Sequence, residues 1–246
     1  MSAIATRTVG ELAAENPAAT RVFEELGIDY CCGGGNTLEQ ACRAARVPLE
    51  QVMDSMEMAL ETGRAMAHDQ DWKMDSLAGL IAHIRNTHHQ YTRAAIARLG
   101  PLFDKVCSVH GENHPEVGRM RAAFGGLAQE LATHLMKEEM VLFPYIVRME
   151  EAVVEKSPVL PAPFGSVQNP VAMMLDEHDA AGQALREMRA AGSGYIAPPD
   201  ACASYCSLYQ ALAEFEADLH QHIHLENNIL FPRAIEMERG VEARPS

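Results

Sequence analysis

The stretch HLMKEEMVLFP, from His134 to Pro144, recurs as HIHLENNILFP, from His222 to Pro232. Each copy holds His, then Glu four residues on, then Leu-Phe-Pro. On a helix, positions i and i+4 share one face. His134 therefore points with Glu138, and His222 with Glu226. Apolar residues flank both pairs: Leu131, Leu135 and Leu142 in one copy, Leu219, Ile223 and Leu230 in the other. The face that carries His and Glu thus looks into a core. A buried carboxylate is costly unless paired or bound to a cation. Two helices that each bury a His and a Glu point to a shared metal site. Leu-Phe-Pro itself reads as packing and helix geometry.

The pattern extends upstream. His89 precedes His134 by 45 residues, and His178 precedes His222 by 44. His88 adjoins His89 and competes with it. Each of four helical stretches then supplies a His near one level. A lone His on an apolar face is usually a satisfied core residue, and one i, i+4 His/Glu pair is an ordinary helix contact. Two matched pairs with matched upstream histidines are neither. Four imidazoles and two carboxylates exceed what one zinc takes, which is about four ligands. They suit two metals with bridging carboxylates, and mixed N/O ligation favours iron over manganese or zinc. His220 and His224, two residues either side of His222, fall on the far side of that helix and read as non-ligands.

Around this core the chain organises as helices. Strand signals are nearly absent. Four runs are expected: about 75–99, ended by Gly100-Pro101; about 115–150; from near Pro170 to before GSGY; and from near Pro198-Pro199 to about Arg239. Short connections favour an up-down four-helix bundle. Pro144 and Pro232 fall inside helical pattern, where each should kink the helix or end a turn. Residues 1–66 read as a separate small helical domain, and 73–240 as the bundle. AHDQDW, at Ala67 to Trp72, reads as the linker. In the small domain, VGELAAENPAATRVFEELG is helical and stops at Gly27. Thr37 opens a helix with Gln40 as capping-box partner, and Pro48 starts another.

Between these elements lies DYCCGGG. Cys31 and Cys32 precede a helix N-terminus, where amides and the helix dipole would lower a thiol pKa and favour thiolate. That reading makes them a reactive or metal-handling pair; the plain alternative is a tight turn with two small apolar residues. The three glycines follow no strand, which disfavours a phosphate loop. Cys42, Cys107, Cys202 and Cys206 carry less signal.

Composition bounds the partners. The 246 residues include 20 basic and 34 acidic side chains, a net charge of −14. That argues against nucleic acid or an anionic membrane as a partner. The start of the chain lacks a secretory pattern, and no stretch matches a membrane span. A cytoplasmic protein with reduced cysteines is expected.

DYCCGG, HLMKEEMVLFP, DEHDAAG at Asp176 to Gly182, and HIHLENNILFPRA together resemble the Repair of Iron Centres family. Its members are bacterial di-iron proteins with a hemerythrin-like bundle that restore damaged iron–sulfur clusters. The resemblance covers essentially the whole chain. It implies an all-α fold, an up-down four-helix hemerythrin-like bundle preceded by a small helical Cys-Cys domain. It implies two iron ions in an oxo- or hydroxo-bridged centre, with His89, His134, His178 and His222 as terminal ligands and Glu138 and Glu226 as bridges. It places Glu130 and Glu177 near the metals as acids that relay protons or guide iron, and gives Cys31 and Cys32 a functional role. Clients would be iron–sulfur proteins damaged by nitric oxide or oxidants, with nitric oxide or dioxygen as small ligands. A homodimer would bring one chain's thiols to the other's bundle. The alternative is a hemerythrin-like binder or sensor of dioxygen, nitric oxide or iron without turnover.

Overall fold

The computed structural model describes residues 3–63, 72–159 and 162–242. The linker expected at Ala67 to Trp72 lies outside them except for Trp72. The fold is all-α: an N-terminal helical segment followed by a bundle of four helical runs. The N-terminal segment holds α1 (Val9–Glu15), α2 (Pro17–Leu26), α3 (Leu38–Ala45) and α4 (Leu49–Gly63). The first bundle run is α5 (Leu77–Ile84), a wide π turn (Arg85–His89) and α6 (Gln90–His110). The second is α7 (Pro115–Lys137), a π turn (Glu138–Leu142) and α8 (Phe143–Glu155). The third is α9 (Gln168–Ala191). The fourth is α10 (Ala203–Leu225), a π turn (Glu226–Leu230) and α11 (Phe231–Glu242).

Contacts group the chain into two units. One comprises Met1–Ile81, Ile146–Gln168 and Gln221–Ser246; the other comprises Ala82–Tyr145 and Asn169–His220. Every boundary in the bundle falls inside a helix, in α5, α8, α9 or α10. All four runs therefore contribute to both units.

In the first unit the N-terminal helices share an apolar core that includes Val9, Leu12, Phe23, Ile28, Tyr30, Leu38 and Val52. Local sequence sets its elements. Thr8 and Glu11 form a reciprocal capping box at α1, and Thr37 and Gln40 form one at α3. Gly27 closes α2 at φ +66°, a left-handed conformation that Gly adopts without strain. The backbone of residues 34–38 is stitched to α1: Gly10 N donates to Gly34 O, Val9 N to Asn36 O, and Leu38 N to Arg7 O. Glu150 on α8 caps α5 by accepting from Leu77 N and Ala78 N.

Two boundary expectations need correction. α6 does not end at Gly100-Pro101 but runs through to His110, with Pro101 inside it. Proline removes only one ladder donor, and the buried face of Leu99, Phe103 and Val106 holds the helix across it. α10 begins at Ala203 rather than at Pro198-Pro199, and residues 196–202 connect it as a loop.

The prolines of the repeated phrase act with the π turns. Phe143 N donates to Glu138 O, and Phe231 N to Glu226 O, each spanning five residues. The next residue in each copy is Pro144 or Pro232, which has no N–H to offer. The ladder thus widens by one residue where a donor is missing anyway. Single π turns inside α-helices are frequent at functional sites. Here each of the two begins at the Glu of the repeat.

Candidate metal centre

In the second unit, His89, His134, Glu138 and His178 are all buried, with Glu138 and His89 at 0 % exposure. His89 Nε2 lies 3.4 Å from Glu138 Oε2, and His134 Nε2 lies 3.3 Å from the same oxygen. His178 Nε2 is 3.1 Å from His134 Nε2. In the first unit, His222 and Glu226 are both at 0 % exposure, and His222 Nε2 is 3.1 Å from Glu226 Oε1.

Carboxylates on the outer side of the rings fix their orientation. His134 Nδ1 lies 2.8 Å from Glu177 Oε2, and His89 Nδ1 lies 2.7 Å from Glu139 Oε1. Burial pushes the Glu177 carboxyl up, but hydrogen bonds from Lys137 and His134 outweigh it, and it sits below the usual carboxylate range. Glu139 is likewise raised by burial and lowered further by His89 and Arg93. An ionised carboxylate only accepts, so each Nδ1 carries the proton. Each Nε2 then turns a lone pair inward. This carboxylate–histidine arrangement is what orients imidazoles that ligate metals.

The inward atoms fit a cation. His134 Nε2 faces both His178 Nε2 and a carboxylate oxygen of Glu138. Two ring nitrogens at 3.1 Å require a positive charge or a proton between them. The ligand atoms of His134, Glu138 and His178 all lie within 4.8 Å of one another. Phe143, from the repeated Leu-Phe-Pro, stacks on His89 with ring centroids 5.6 Å apart and an interplanar angle of 22°.

The other histidines go elsewhere. His88 Nδ1 pairs with Asp218 Oδ1 at 3.0 Å. His224 is buried, 5.3 Å from the Tyr30 ring, and its Nδ1 meets Asn228 Nδ2 at 3.0 Å. Burial pulls the His224 imidazole down to about 4, so it is neutral near pH 7. Of the two acids expected near the metals, Glu177 is at the cluster. Glu130, four residues before His134 on α7, is exposed. Glu139 was missed by sequence reasoning; the signal was its place beside Glu138 in KEEM.

The thiol loop differs from expectation in its chemistry. Cys31 is buried and Cys32 half-buried, with their sulfurs 3.9 Å apart and not bonded. The loop amides do not serve the thiols. Cys32 N and Gly33 N donate to Asp29 Oδ1 at 3.0 and 2.9 Å. Cys31 Sγ lies 3.5 Å from the same carboxylate. The Cys32 thiol, burial and the Asp29 charge push the Cys31 thiol well above its ordinary range. The expectation of a dipole-lowered thiolate at Cys31 is therefore corrected: Asp29 takes the amides that would have stabilised it.

The loop is anchored within its own unit. Asn227 Nδ2 donates to Cys31 O at 3.3 Å, and Asn228 Nδ2 to Tyr30 O at 3.2 Å. Both asparagines follow Glu226 in the π turn. None of the described helices is long and apolar enough to cross a membrane.

Residues 80–234 match the family described as the hemerythrin HHE cation binding domain. Residues 5–60 match a domain of unknown function, DUF542. A probable iron–sulfur cluster repair protein of Haemophilus influenzae is 35 % identical over 231 residues, covering 94 % of this chain and 97 % of that one. The iron–sulfur cluster repair protein YtfE of Pectobacterium carotovorum is 35 % identical over 233 residues, covering 94 % and 98 %. That of Yersinia pseudotuberculosis is 34 % identical over 234 residues, with the same coverage. With the cation-binding domain, the N-terminal domain and full-length relatives in agreement, the chain belongs to the Repair of Iron Centres family of hemerythrin-like iron–sulfur cluster repair proteins.

Proposed function

We propose that the two buried His/Glu clusters are halves of one di-iron centre, and that the protein uses it to repair iron–sulfur clusters damaged by nitric oxide or oxidants. His89, His134, His178 and His222 would be the terminal ligands, and Glu138 and Glu226 the bridges. The observation that carries this is the inward-facing His134 Nε2, held by Glu177 and set against both His178 and Glu138. Three further facts support it. The four helical runs are continuous through both units. The match to the cation-binding domain spans all six residues. The relatives are named as repair proteins.

Bound iron would supply electron exchange and an exchangeable coordination position, and iron is also the cargo that a damaged cluster lacks. The chain's own residues do the rest. Glu139 and Glu177 keep protons on the outer ring nitrogens, so that the inner ones stay basic. Lys137 and Arg93 hold those two carboxylates ionised. Phe143 limits water at His89. Damaged iron–sulfur proteins are the clients in this reading, nitric oxide or dioxygen the small ligands, and the cytoplasm the place. Cys32, the more accessible thiol of the pair, is the one that can meet a client.

Metal content after anaerobic reconstitution tests the centre, with His134→Ala/His222→Ala beside the wild type. About two irons per chain, lost in the double variant, are expected. Absence of bound iron in the wild type would sink the di-iron reading. The loaded protein should then restore activity to a nitric-oxide-damaged cluster enzyme. A stoichiometric spectral change on nitric oxide without restored activity would leave a binder, not a repair protein.

A further inference from the structure

A second group of metal-type side chains lies in the second unit, away from the buried centre, where α6 ends and α7 and α10 begin. His110 is the last residue of α6, and His114 precedes Pro115 at the start of α7. Asp200 and Cys202 lie in the loop that leads into α10. His114 N donates to His110 O at 2.8 Å, so one helix-like turn brings the two imidazoles together. Their ring centroids are 6.0 Å apart. The ligand atoms of His110, His114 and Asp200 lie within 4.8 Å of one another.

The second coordination layer repeats that of the buried centre. His114 Nε2 faces Asp200 Oδ2 at 3.0 Å, while Nδ1 is held by Glu116 Oε1 at 2.9 Å. Glu116 in turn accepts from Tyr205 OH at 3.3 Å. An imidazole oriented by a carboxylate on one nitrogen, with its other nitrogen turned to a second carboxylate, is also the state of His89 and His134. A plain ion pair would account for His114, Glu116 and Asp200. It does not account for His110, whose Nε2 is buried and makes no hydrogen bond.

We infer that His110, His114 and Asp200 form a site for a divalent metal of the zinc type, with Glu116 as the orienting carboxylate. Two imidazoles and one carboxylate are three of the four ligands that zinc takes. The ion would pin the α6–α7 turn to the loop before α10.

The test uses iron-loaded protein, titrated with cobalt(II) as a spectroscopic stand-in for zinc under a phosphine reductant. Expected is about one cobalt per chain above the iron retained, with visible cobalt d–d absorption that zinc removes. The absorption should vanish in His110→Ala and persist in Cys31→Ser/Cys32→Ser. Asp200→Asn should abolish uptake, and Glu116→Gln should weaken it about 10- to 100-fold. All these variants should keep the wild-type iron content, which shows that they fold. The inference is overturned if no absorption appears, if it survives His110→Ala, if it disappears with Cys31 and Cys32, or if Asp200→Asn takes up cobalt normally.

Discussion

Asn228 Nδ2 donates to the backbone carbonyl of Tyr30 at 3.2 Å, two residues beyond Glu226 in the same π turn. The same amide nitrogen lies 3.5 Å from Cys31 O and 3.0 Å from His224 Nδ1. The turn that aims a proposed bridging carboxylate thus also holds the backbone of the thiol loop. Movement of Glu226 and movement of Cys31 are tied through two residues of chain.

Asn228→Ala should release that loop. It removes bonds to two loop carbonyls and to a buried imidazole. Leaving such groups unsatisfied costs about 1–3 kcal/mol each at most, and the net loss of stability should fall in that range. Urea unfolding measures it, and Cys31 should become open to alkylation in the native state. Unchanged stability together with a still-protected Cys31 would show that Asn228 is not the anchor.

Gly34→Ala should fail for a related reason, and in a repairable way. A Cβ on Gly34 would come within 2.2 Å of Asn228 Oδ1, and its three nearest neighbours are all atoms of the Asn228 side chain. A clash of this kind with a hydrogen-bonded side chain should cost about 1–3 kcal/mol. In Gly34→Ala/Asn228→Ala the obstacle is gone, so the two effects should add to less than their sum. A thermodynamic cycle by denaturant unfolding reads the coupling. Simple additivity would mean that Gly34 is required for some other reason.

How far the sequence carries can be seen at single residues. His134 with Glu138, and His222 with Glu226, were legible because i, i+4 geometry and flanking leucines fix a face. The all-α fold and the capping boxes at Thr8 and Thr37 are equally local. Glu139 was hidden because a one-residue step on a regular helix turns a side chain about 100° away. The wide turn at Glu138–Leu142 resets that angle, and a π turn has no strong local sequence code. Pro101 misled because a proline looks like a stop until its neighbours' burial is known. Cys31 misled because only the folded loop shows that Asp29 occupies the amides. His224 looked idle on the far side of its helix because its partner Tyr30 lies 194 positions away in sequence.

Glu177→Gln and Glu139→Gln should weaken iron binding without preventing folding. Each acid is partly exposed and acts on a ring nitrogen that points away from the cluster. Loss of such an orienting carboxylate typically lowers metal affinity about 10- to 100-fold. Chelator competition on loaded protein gives the ratio directly. Glu130→Gln, exposed on α7, serves as the control and should match wild type. Equal retention of iron in all three variants would remove Glu139 and Glu177 from the centre.

Thiol reactivity should order the cysteines against the simple expectation from the motif. The His110 imidazole and backbone amides draw the exposed Cys202 thiol down to about 7. Since thiolate is the nucleophile, alkylation of Cys202 should rise between roughly pH 6 and 8 and then level off. Cys31 is the opposite case, buried and raised by Cys32, burial and Asp29. Its folded pKa lies above the unfolded value, so in that window the native thiol stays protonated and labelling should remain slow. Iodoacetamide labelling of the metal-free protein, read by peptide mass spectrometry across that range, separates the two. Asp29→Asn removes one of the charges that raise Cys31 and should increase its labelling rate. If Cys31 instead labels before Cys202 at neutral pH, the loop amides serve the thiol after all, and Asp29 does not hold them in solution.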